Sequence, residues 1–183
     1  MQELEAIARL KQGDISGLES LVRIYQVKAL RVAYLIIRDY DLAEDVVQDA
    51  FLRAYERIHQ FDVNRPFGPW FFRIVVNIAK RMAVQRERHI TFNSVNADEK
   101  IAFDEILADL SSPEVMLEQH DLQHRVWTAL GRLPPSQRAV IIQRYYLNMN
   151  EKDIAACAGV LLGTLKWQLH TARERLRAWL NQP

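Results

Sequence analysis

Residues 42–60 have the sequence LAEDVVQDAFLRAYERIHQ, and this stretch decides the fold class. Its small and branched apolar side chains recur at spacings of three and four, which places them on one face of an α-helix. They are Ala43, Val47, Ala50, Ala54 and Ile58. The other face is largely charged, so the stretch predicts an amphipathic helix that buries one side against its neighbours.

The flanking segments predict two more helices. Residues 16–38 and 70–88 repeat the apolar spacing of three and four. Asp41 and Glu44 match a capping box, which predicts that the middle helix begins with Asp41 as its cap. Residues 61–69 contain several turn-forming side chains and predict a loop before the third helix. The N-terminal part of the chain is therefore expected to form a small helical bundle.

The C-terminal third predicts a helix-turn-helix. Leu133-Pro134-Pro135 opens a helix, Asn148 suits the left-handed residue that ends it, and Asn150 caps the next one. Gly159 permits a sharp turn into a last helix at residues 162–180. The core face of that helix is expected to carry Leu165, Leu169, Ala172, Leu176 and Trp179. Its outward face is basic, as in helices that enter a DNA major groove, although helix-turn-helix units also occur as plain packing units.

The charge distribution divides the chain into three parts. The 183 residues include 24 Lys and Arg and 23 Asp and Glu, so the net charge of +1 excludes a polybasic nucleic-acid binder. Residues 1–89 hold 14 basic and 12 acidic side chains, and residues 121–183 hold nine and four. Residues 90–120 hold one basic and seven acidic side chains. We therefore predict an all-α protein with two small helical domains, 1–89 and 121–183, joined by an acidic flexible linker.

Other features predict the compartment and the absence of bound groups. One cysteine excludes an intramolecular disulfide, and neither a signal peptide nor a membrane span is evident, so a cytoplasmic protein is expected without membrane insertion. Cys157 is expected to be a buried structural thiol, with a redox role left open. His120 and His124 lack a third ligand, and no nucleophile–base pair stands out, so no metal, cofactor or catalytic residue is predicted.

Two charged faces of the N-terminal bundle have alternative interpretations. Residues 39–62 hold seven acids and two bases, which fits either a solvated surface or a docking face for a basic partner. Residues 70–89 are basic and follow an aromatic cluster, which fits either a packed surface or a face that binds nucleic acid by phosphate contacts and base stacking. Three consecutive aromatics, Trp70-Phe71-Phe72, cannot all face outward, so several are expected in the core.

Three motifs together resemble one protein family. Residues 43–55, AEDVVQDAFLRAY, look like the second conserved domain of bacterial sigma factors of the extracytoplasmic-function type. Residues 67–77, FGPWFFRIVVN, are similar to the DNA-melting segment of that domain. Residues 133–138, LPPSQR, and the later matches around Gly163-Thr164-Leu165-Lys166 and 172–176 resemble the family's fourth domain.

The resemblance implies a role for each of the two charged faces of the N-terminal bundle. The acidic helix would dock on the β′ clamp of core RNA polymerase, and the β subunit is implied as a further contact. The matching polymerase-binding positions are Asp45, Gln48, Asp49, Phe51 and Leu52. The third helix and its preceding loop would capture the promoter −10 element as single-stranded DNA, with one base flipped near Asn77. The matching −10 positions are Phe61, Asn64, Arg65, Trp70, Arg73, Asn77, Lys80 and Arg81.

The last helix would read the promoter −35 element as duplex DNA. The matching positions are Thr164, Lys166, Trp167, Gln168, His170, Thr171 and Arg173. Trp167-Gln168 replaces the Ser-Arg common in the family, and Thr171 replaces an Arg. The resemblance also implies an anti-sigma factor as a partner, whereas the alternative is a helix-turn-helix regulator that binds duplex DNA without polymerase. Neither interpretation involves enzymatic catalysis by this chain.

Overall fold

A computed structural model describes residues 2–90 and 116–181, with side chains from residues 2–88 and 122–181. The N-terminal domain consists of α1 (Gln2–Lys11), α2 (Ser16–Ile37), α3 (Tyr40–Arg57), a 3₁₀ turn (Ile58–Gln60) and α4 (Phe67–Ile90). The C-terminal domain consists of α5 (Met116–Gly131), α6 (Pro135–Ile141), a π-helical turn (Ile142–Tyr146), α7 (Glu151–Ala158) and α8 (Leu162–Leu180). The all-α prediction with two domains is confirmed.

The N-terminal domain packs around α2, which contacts α1, α3 and α4. Gly17 on α2 permits a close approach to α1, because a Cβ at this position would lie 2.3 Å from the backbone oxygen of Ala6. The predicted apolar face of α3 is buried along its whole length. Helix α1 was not predicted from the sequence, and it covers one side of α2 with Ile7 and Leu10.

Two helix starts differ from the prediction. Helix α3 begins after Asp39, whose side chain accepts a hydrogen bond from the Leu42 backbone N–H at 3.1 Å, so the predicted cap at Asp41 is wrong. Asp39 precedes the helix with extended backbone, as an N-cap does, whereas Asp41 is already helical. Helix α4 begins at Phe67, three residues earlier than predicted, and the Phe67 side chain is buried. Pro69 is tolerated in the first turn, because the N–H that proline lacks would have no partner within the helix there.

The helix-turn-helix has the predicted local structure. Asn148 has φ of 52°, Gly159 has φ of 67°, and the Asn150 side chain accepts from the Asp153 backbone N–H at 2.9 Å. The last helix spans Leu162–Leu180 as predicted. The predicted acidic linker, residues 90–120, lies mostly outside the described residues, and α5 begins inside its range at Met116.

Aromatic side chains form the centre of the N-terminal core. The rings of Phe67 and Phe71 are stacked at 5.8 Å, and Phe71 also lies 4.6 Å from the ring of Phe51. Phe71 and Phe72 are buried, whereas Trp70 is half-buried, which confirms that most of the aromatic run belongs to the core. The core therefore holds α4 firmly against α2 and α3, with its basic face outward.

Candidate nucleic-acid interface

The acidic face of α3 is exposed to solvent. We name Glu44, Asp45, Gln48 and Leu52 the docking face, and each of these side chains is exposed, with Leu52 at 59%. Asp49 lies beside this face, half-buried, and accepts a hydrogen bond from Nε of Arg53 at 2.8 Å.

Phe51 lies on the opposite side of α3. Its side chain is 6% exposed and packs against Phe71, so in this structure it supports the helix from within and offers no surface to a partner. The resemblance leaves open whether Phe51 touches the partner or supports the helix, and its burial against Phe71 fits the supporting role, because the spacing of α3 turns this position toward α4. Asp45, Gln48, Asp49 and Leu52 remain on or beside the docking face.

Residues of α3, the following turn and α4 line a polar groove next to Asp49. We name it the arginine groove, with a volume of about 360 Å³. Its lining comprises Arg53, Arg57, Gln60, Trp70, Arg73, Ile74, Asn77, Ile78 and Arg81. Four of the predicted −10 residues, Trp70, Arg73, Asn77 and Arg81, are thereby brought together in one groove.

The loop before α4 has a fixed local structure. Asp62 Oδ1 accepts from both the backbone N–H and the side-chain amide of Asn64, each at 3.0 Å, and Arg65 pairs with Asp62 at 3.5 Å. The backbone N–H of Asn64 lowers the pKa of Asp62, so this carboxylate stays charged and keeps the turn in place. Asn64 and Arg65 are exposed, as a DNA contact requires.

Phe61 is placed differently from the prediction. Its side chain is 3% exposed, and its ring lies 5.4 Å from Phe67 and 5.1 Å from Trp70. The predicted −10 contact through the Phe61 ring is therefore corrected to support of Trp70 and of the loop. Lys11 Nζ on α1 also donates to the Phe61 carbonyl at 2.7 Å, which ties the loop to the first helix.

The predicted −35 residues are distributed over two sides of α8. Thr164, Lys166, Trp167 and His170 are exposed, with Trp167 at 63%. Arg173 is partly engaged within the domain, because its Nε donates to the Tyr145 hydroxyl at 2.6 Å and its guanidinium lies over the Tyr145 ring. Thr171 is half-buried beside it. Gln168 faces the N-terminal domain, where it shares a small hollow with Asn77 and Lys80.

The two domains contact each other through several of the residues predicted to bind DNA. Cys157 Sγ lies 3.9 Å from Asn77 Oδ1, and Arg73 donates to the Ala156 carbonyl at 3.1 Å. Burial raises the pKa of the Cys157 thiol, which agrees with the predicted buried cysteine. Asn77 thus lies between the arginine groove and the contact with the C-terminal domain, whereas Gln168 lies at that contact.

Further contacts hold the domains together. Arg138, whose side chain is 3% exposed, donates to Glu87 Oε1 at 2.6 Å, although burial still lowers the pKa of Arg138. The Trp127 ring stacks on Tyr34 at 4.8 Å and lies 4.4 Å from the guanidinium of Arg38. We name these contacts, with those of Asn77 and Arg73, the domain interface.

Sequence reasoning missed one wall of the arginine groove. Arg53, Arg57 and Gln60 line it from α3 and the following turn, opposite the predicted −10 residues on α4. The signal was available in the i, i+4 spacing of Arg53 and Arg57 on a helix that is otherwise acidic. Only the folded domain shows that Arg53 and Arg57 face α4 across the groove.

Comparisons with known proteins agree with this arrangement. The family description Sigma-70 region 2 matches residues 21–89, and Sigma-70, region 4 matches residues 123–176. The chain is 30% identical to the ECF RNA polymerase sigma factor SigW of Bacillus subtilis (strain 168) over 176 residues, covering 95% of this chain and 94% of SigW.

Two solved structures share the fold. CnrH in complex with the cytosolic domain of CnrY has a TM-score of 0.66 at 23% identity, covering 99% of this chain and 98% of that chain. The sigma factor RpoE in complex with the anti-sigma factor NepR, from Bartonella quintana, has a TM-score of 0.63 at 23% identity, covering 88% of this chain and 95% of that chain.

These findings define a two-domain transcription initiation factor whose N-terminal and C-terminal domains are sigma regions 2 and 4. The chain belongs to the sigma-70 family of bacterial RNA polymerase sigma factors, in its extracytoplasmic-function group. The alternative of a helix-turn-helix regulator without polymerase is not favoured, because the region 2 match spans α2–α4. None of the described helices has the length and apolar character needed to cross a membrane.

Proposed function

We propose that this sigma factor binds core RNA polymerase through the docking face and directs it to promoters with both a −10 and a −35 element. The observation that carries the proposal is that the N-terminal domain has two distinct surfaces of opposite charge, which meet at the Asp49–Arg53 pair. The docking face of α3 is acidic with an exposed leucine, whereas the arginine groove is basic. One domain can then hold a basic protein partner and a DNA strand at the same time.

The arginine groove supports capture of the −10 element as a single strand. Arg73 and Arg81 are exposed and suit phosphate contacts, and the half-buried Trp70 offers a ring edge and face for base stacking. Asn77 lies between them and carries both a donor and an acceptor for a base edge. Residues from the adjacent loop, Asn64 and Arg65, would complete the contact with an unstacked base.

Helix α8 supports contact with duplex DNA at the −35 element. Lys166, Trp167 and His170 form its exposed face after a helix-turn-helix with confirmed caps. Lys166 and His170 are one helical turn apart. Their side chains can therefore reach a base edge in the major groove and a neighbouring phosphate. Gln168, once released from the N-terminal domain, can pair with adenine through its amide.

The proposal includes two further protein partners and assigns no catalysis to this chain. The β subunit would contact the C-terminal domain, and an anti-sigma factor would hold the free protein inactive. RpoE of the structural comparison is bound to the anti-sigma factor NepR, which supports that expectation. The two domains, 1–89 and 121–183, would act with the acidic segment between them, and polymerase would perform all the chemistry.

Gel filtration with core RNA polymerase tests the proposal. The full chain is expected to co-elute with core polymerase, and Asp45→Arg is expected to abolish co-elution by reversing a charge on the docking face. Glu19→Arg, an equal charge change at an exposed site on α2, is the matched control and is expected to co-elute. A folded wild-type chain that fails to co-elute would contradict polymerase binding, and co-elution of Asp45→Arg would contradict the docking face.

A further inference from the structure

The arginine groove has a second wall that the resemblance to sigma factors did not assign. Arg53 and Arg57 on α3 and Gln60 in the following turn line it opposite Arg73, Asn77 and Arg81 on α4. Within each wall the helical residues follow i, i+4 spacing, so neighbouring side chains are about 6 Å apart along the helix axis. The groove is thus bounded by two rows of cationic and amide groups.

The charge of this groove is unbalanced. Four of its side chains are arginines, and none of the described residues that line it carries a carboxylate. Arg57 and Arg81 are exposed and make no ion pair with any residue that the structure describes. Arg53 is paired with Asp49, and the other three guanidinium groups have no carboxylate partner among the described residues, so they repel one another across the groove. A polyanion is the ligand class that this groove fits.

Arg53 is oriented toward the groove by a carboxylate behind it. Its Nε donates to Asp49 Oδ1 at 2.8 Å, and among the described residues its two terminal nitrogens make no other hydrogen bond. A guanidinium has five N–H donors, so the ion pair with Asp49 leaves the terminal donors for a phosphate. The same pair keeps the side chain extended along α3 instead of mobile in solvent.

The shape of the groove favours a single strand over a duplex. Its volume of about 360 Å³ is that of a small-ligand cleft, and Trp70 forms part of one wall. An arginine-lined channel with an aromatic platform is the arrangement that tracks a single-stranded backbone.

We propose that Arg53 and Arg57 bind phosphates of the same DNA strand that the α4 wall captures, so that α3 and α4 clamp one single strand between them. This inference rests on the proposed −10 role of α4 and adds a phosphate-binding wall to it. Helix α3 would then serve two partners, polymerase on the docking face and DNA through Arg53 and Arg57.

The salt dependence of single-strand binding tests the clamp. The full chain is titrated into a fluorescein-labelled pool of 12-nucleotide single-stranded DNA with random sequence, and anisotropy gives the affinity at several NaCl concentrations. Each lost phosphate contact lowers the magnitude of the log–log salt slope by about 0.7 for a single strand. In the double variant Arg53→Gln, Arg57→Gln, the magnitude of the slope is expected to be about 1.4 smaller than in the wild type. Between about 50 and 200 mM salt, the fold-loss of affinity would then be about sevenfold smaller for the variant than for the wild type.

Matched variants separate this inference from the proposed function. Arg23→Gln removes one exposed arginine on α2, outside the groove, and is expected to leave the slope unchanged. Arg73→Gln with Arg81→Gln tests the α4 wall in the same assay. If the α3 double variant matches Arg23→Gln while the α4 double variant loses slope, the clamp is overturned and the proposed −10 surface stands. If neither double variant changes the slope, both are overturned.

Discussion

The ion pair between Glu87 and Arg138 is expected to control how often the two domains separate. Arg138 is almost fully buried and donates to Glu87 at 2.6 Å, whereas Glu87 is 49% exposed. Glu87→Gln keeps an acceptor of the same shape but removes its charge. A hydrogen bond to a charged group contributes about 1.5–3 kcal/mol. Because Arg138 stays charged in Glu87→Gln, the original and the altered pair differ by part of that contribution.

The expected shift in the domain equilibrium follows from that difference. Because Glu87 is half exposed, we take about 1–2 kcal/mol for the loss, which is about a 5- to 30-fold increase in the ratio of open to closed molecules. Opening removes α4 from Cys157, whose Sγ lies 3.9 Å from Asn77 in the closed arrangement. Burial also raises the pKa of the thiol, so the closed state reacts slowly.

The single cysteine of the chain therefore serves as the reporter. Its reaction with a thiol-specific reagent such as DTNB is expected to be about 5- to 30-fold faster in Glu87→Gln than in the wild type, provided that closing is faster than reaction. Glu19→Gln breaks an exposed pair with Arg23 on α2 and is the matched control, with an unchanged rate. Equal DTNB rates in Glu87→Gln and Glu19→Gln would show that Glu87 does not hold the domains together.

Three other substitutions test packing, capping and duplex contact. Phe71→Ala removes the ring at the centre of the N-terminal core and is expected to cost about 3–5 kcal/mol in the free energy of unfolding, measured by urea denaturation; a loss below about 1 kcal/mol would show that the cluster does not support the domain. Asn150→Ala removes the α7 cap and is expected to cost about 1 kcal/mol in the same assay, whereas no change would mean that the Asp153 N–H is satisfied by water. Lys166→Ala is expected to lower the salt slope of holoenzyme binding to duplex promoter DNA by about 0.9, and a slope equal to that of Arg23→Ala would remove Lys166 from the phosphate contacts.

Local features of the fold could be predicted because they depend on a few neighbouring residues. Asn148 and Gly159 take positive φ at the two ends predicted for them, and Asn150 caps α7 as expected. The apolar spacing of α3 and of the last helix identified buried faces correctly, since a helix that packs on one side repeats at 3.6 residues. The cap of α3 was misplaced by two residues because Asp39 and Asp41 have the same side chain and only the backbone distinguishes them.

The placement of the site residues depends on tertiary contacts that no local pattern encodes. Family resemblance selected Phe51 and Phe61, but both rings point into the aromatic core, where Phe71 and Trp70 meet them. The second wall of the arginine groove arises because α3 crosses α4 with Arg53 and Arg57 on the facing side. The domain interface joins Arg138 to Glu87 and Trp127 to Tyr34 across long stretches of chain.

Promoter opening is the most direct test of the central claim that this chain gives polymerase promoter specificity. Promoters are first selected from a random DNA library with reconstituted holoenzyme, and permanganate footprinting then measures the unpaired thymines around the −10 element. Wild-type holoenzyme is expected to give reactive thymines and Asn77→Ala holoenzyme a strong loss of reactivity, while Asn77→Ala still co-elutes with core polymerase. Equal permanganate reactivity with core polymerase alone, or no enrichment of any promoter sequence, would contradict it.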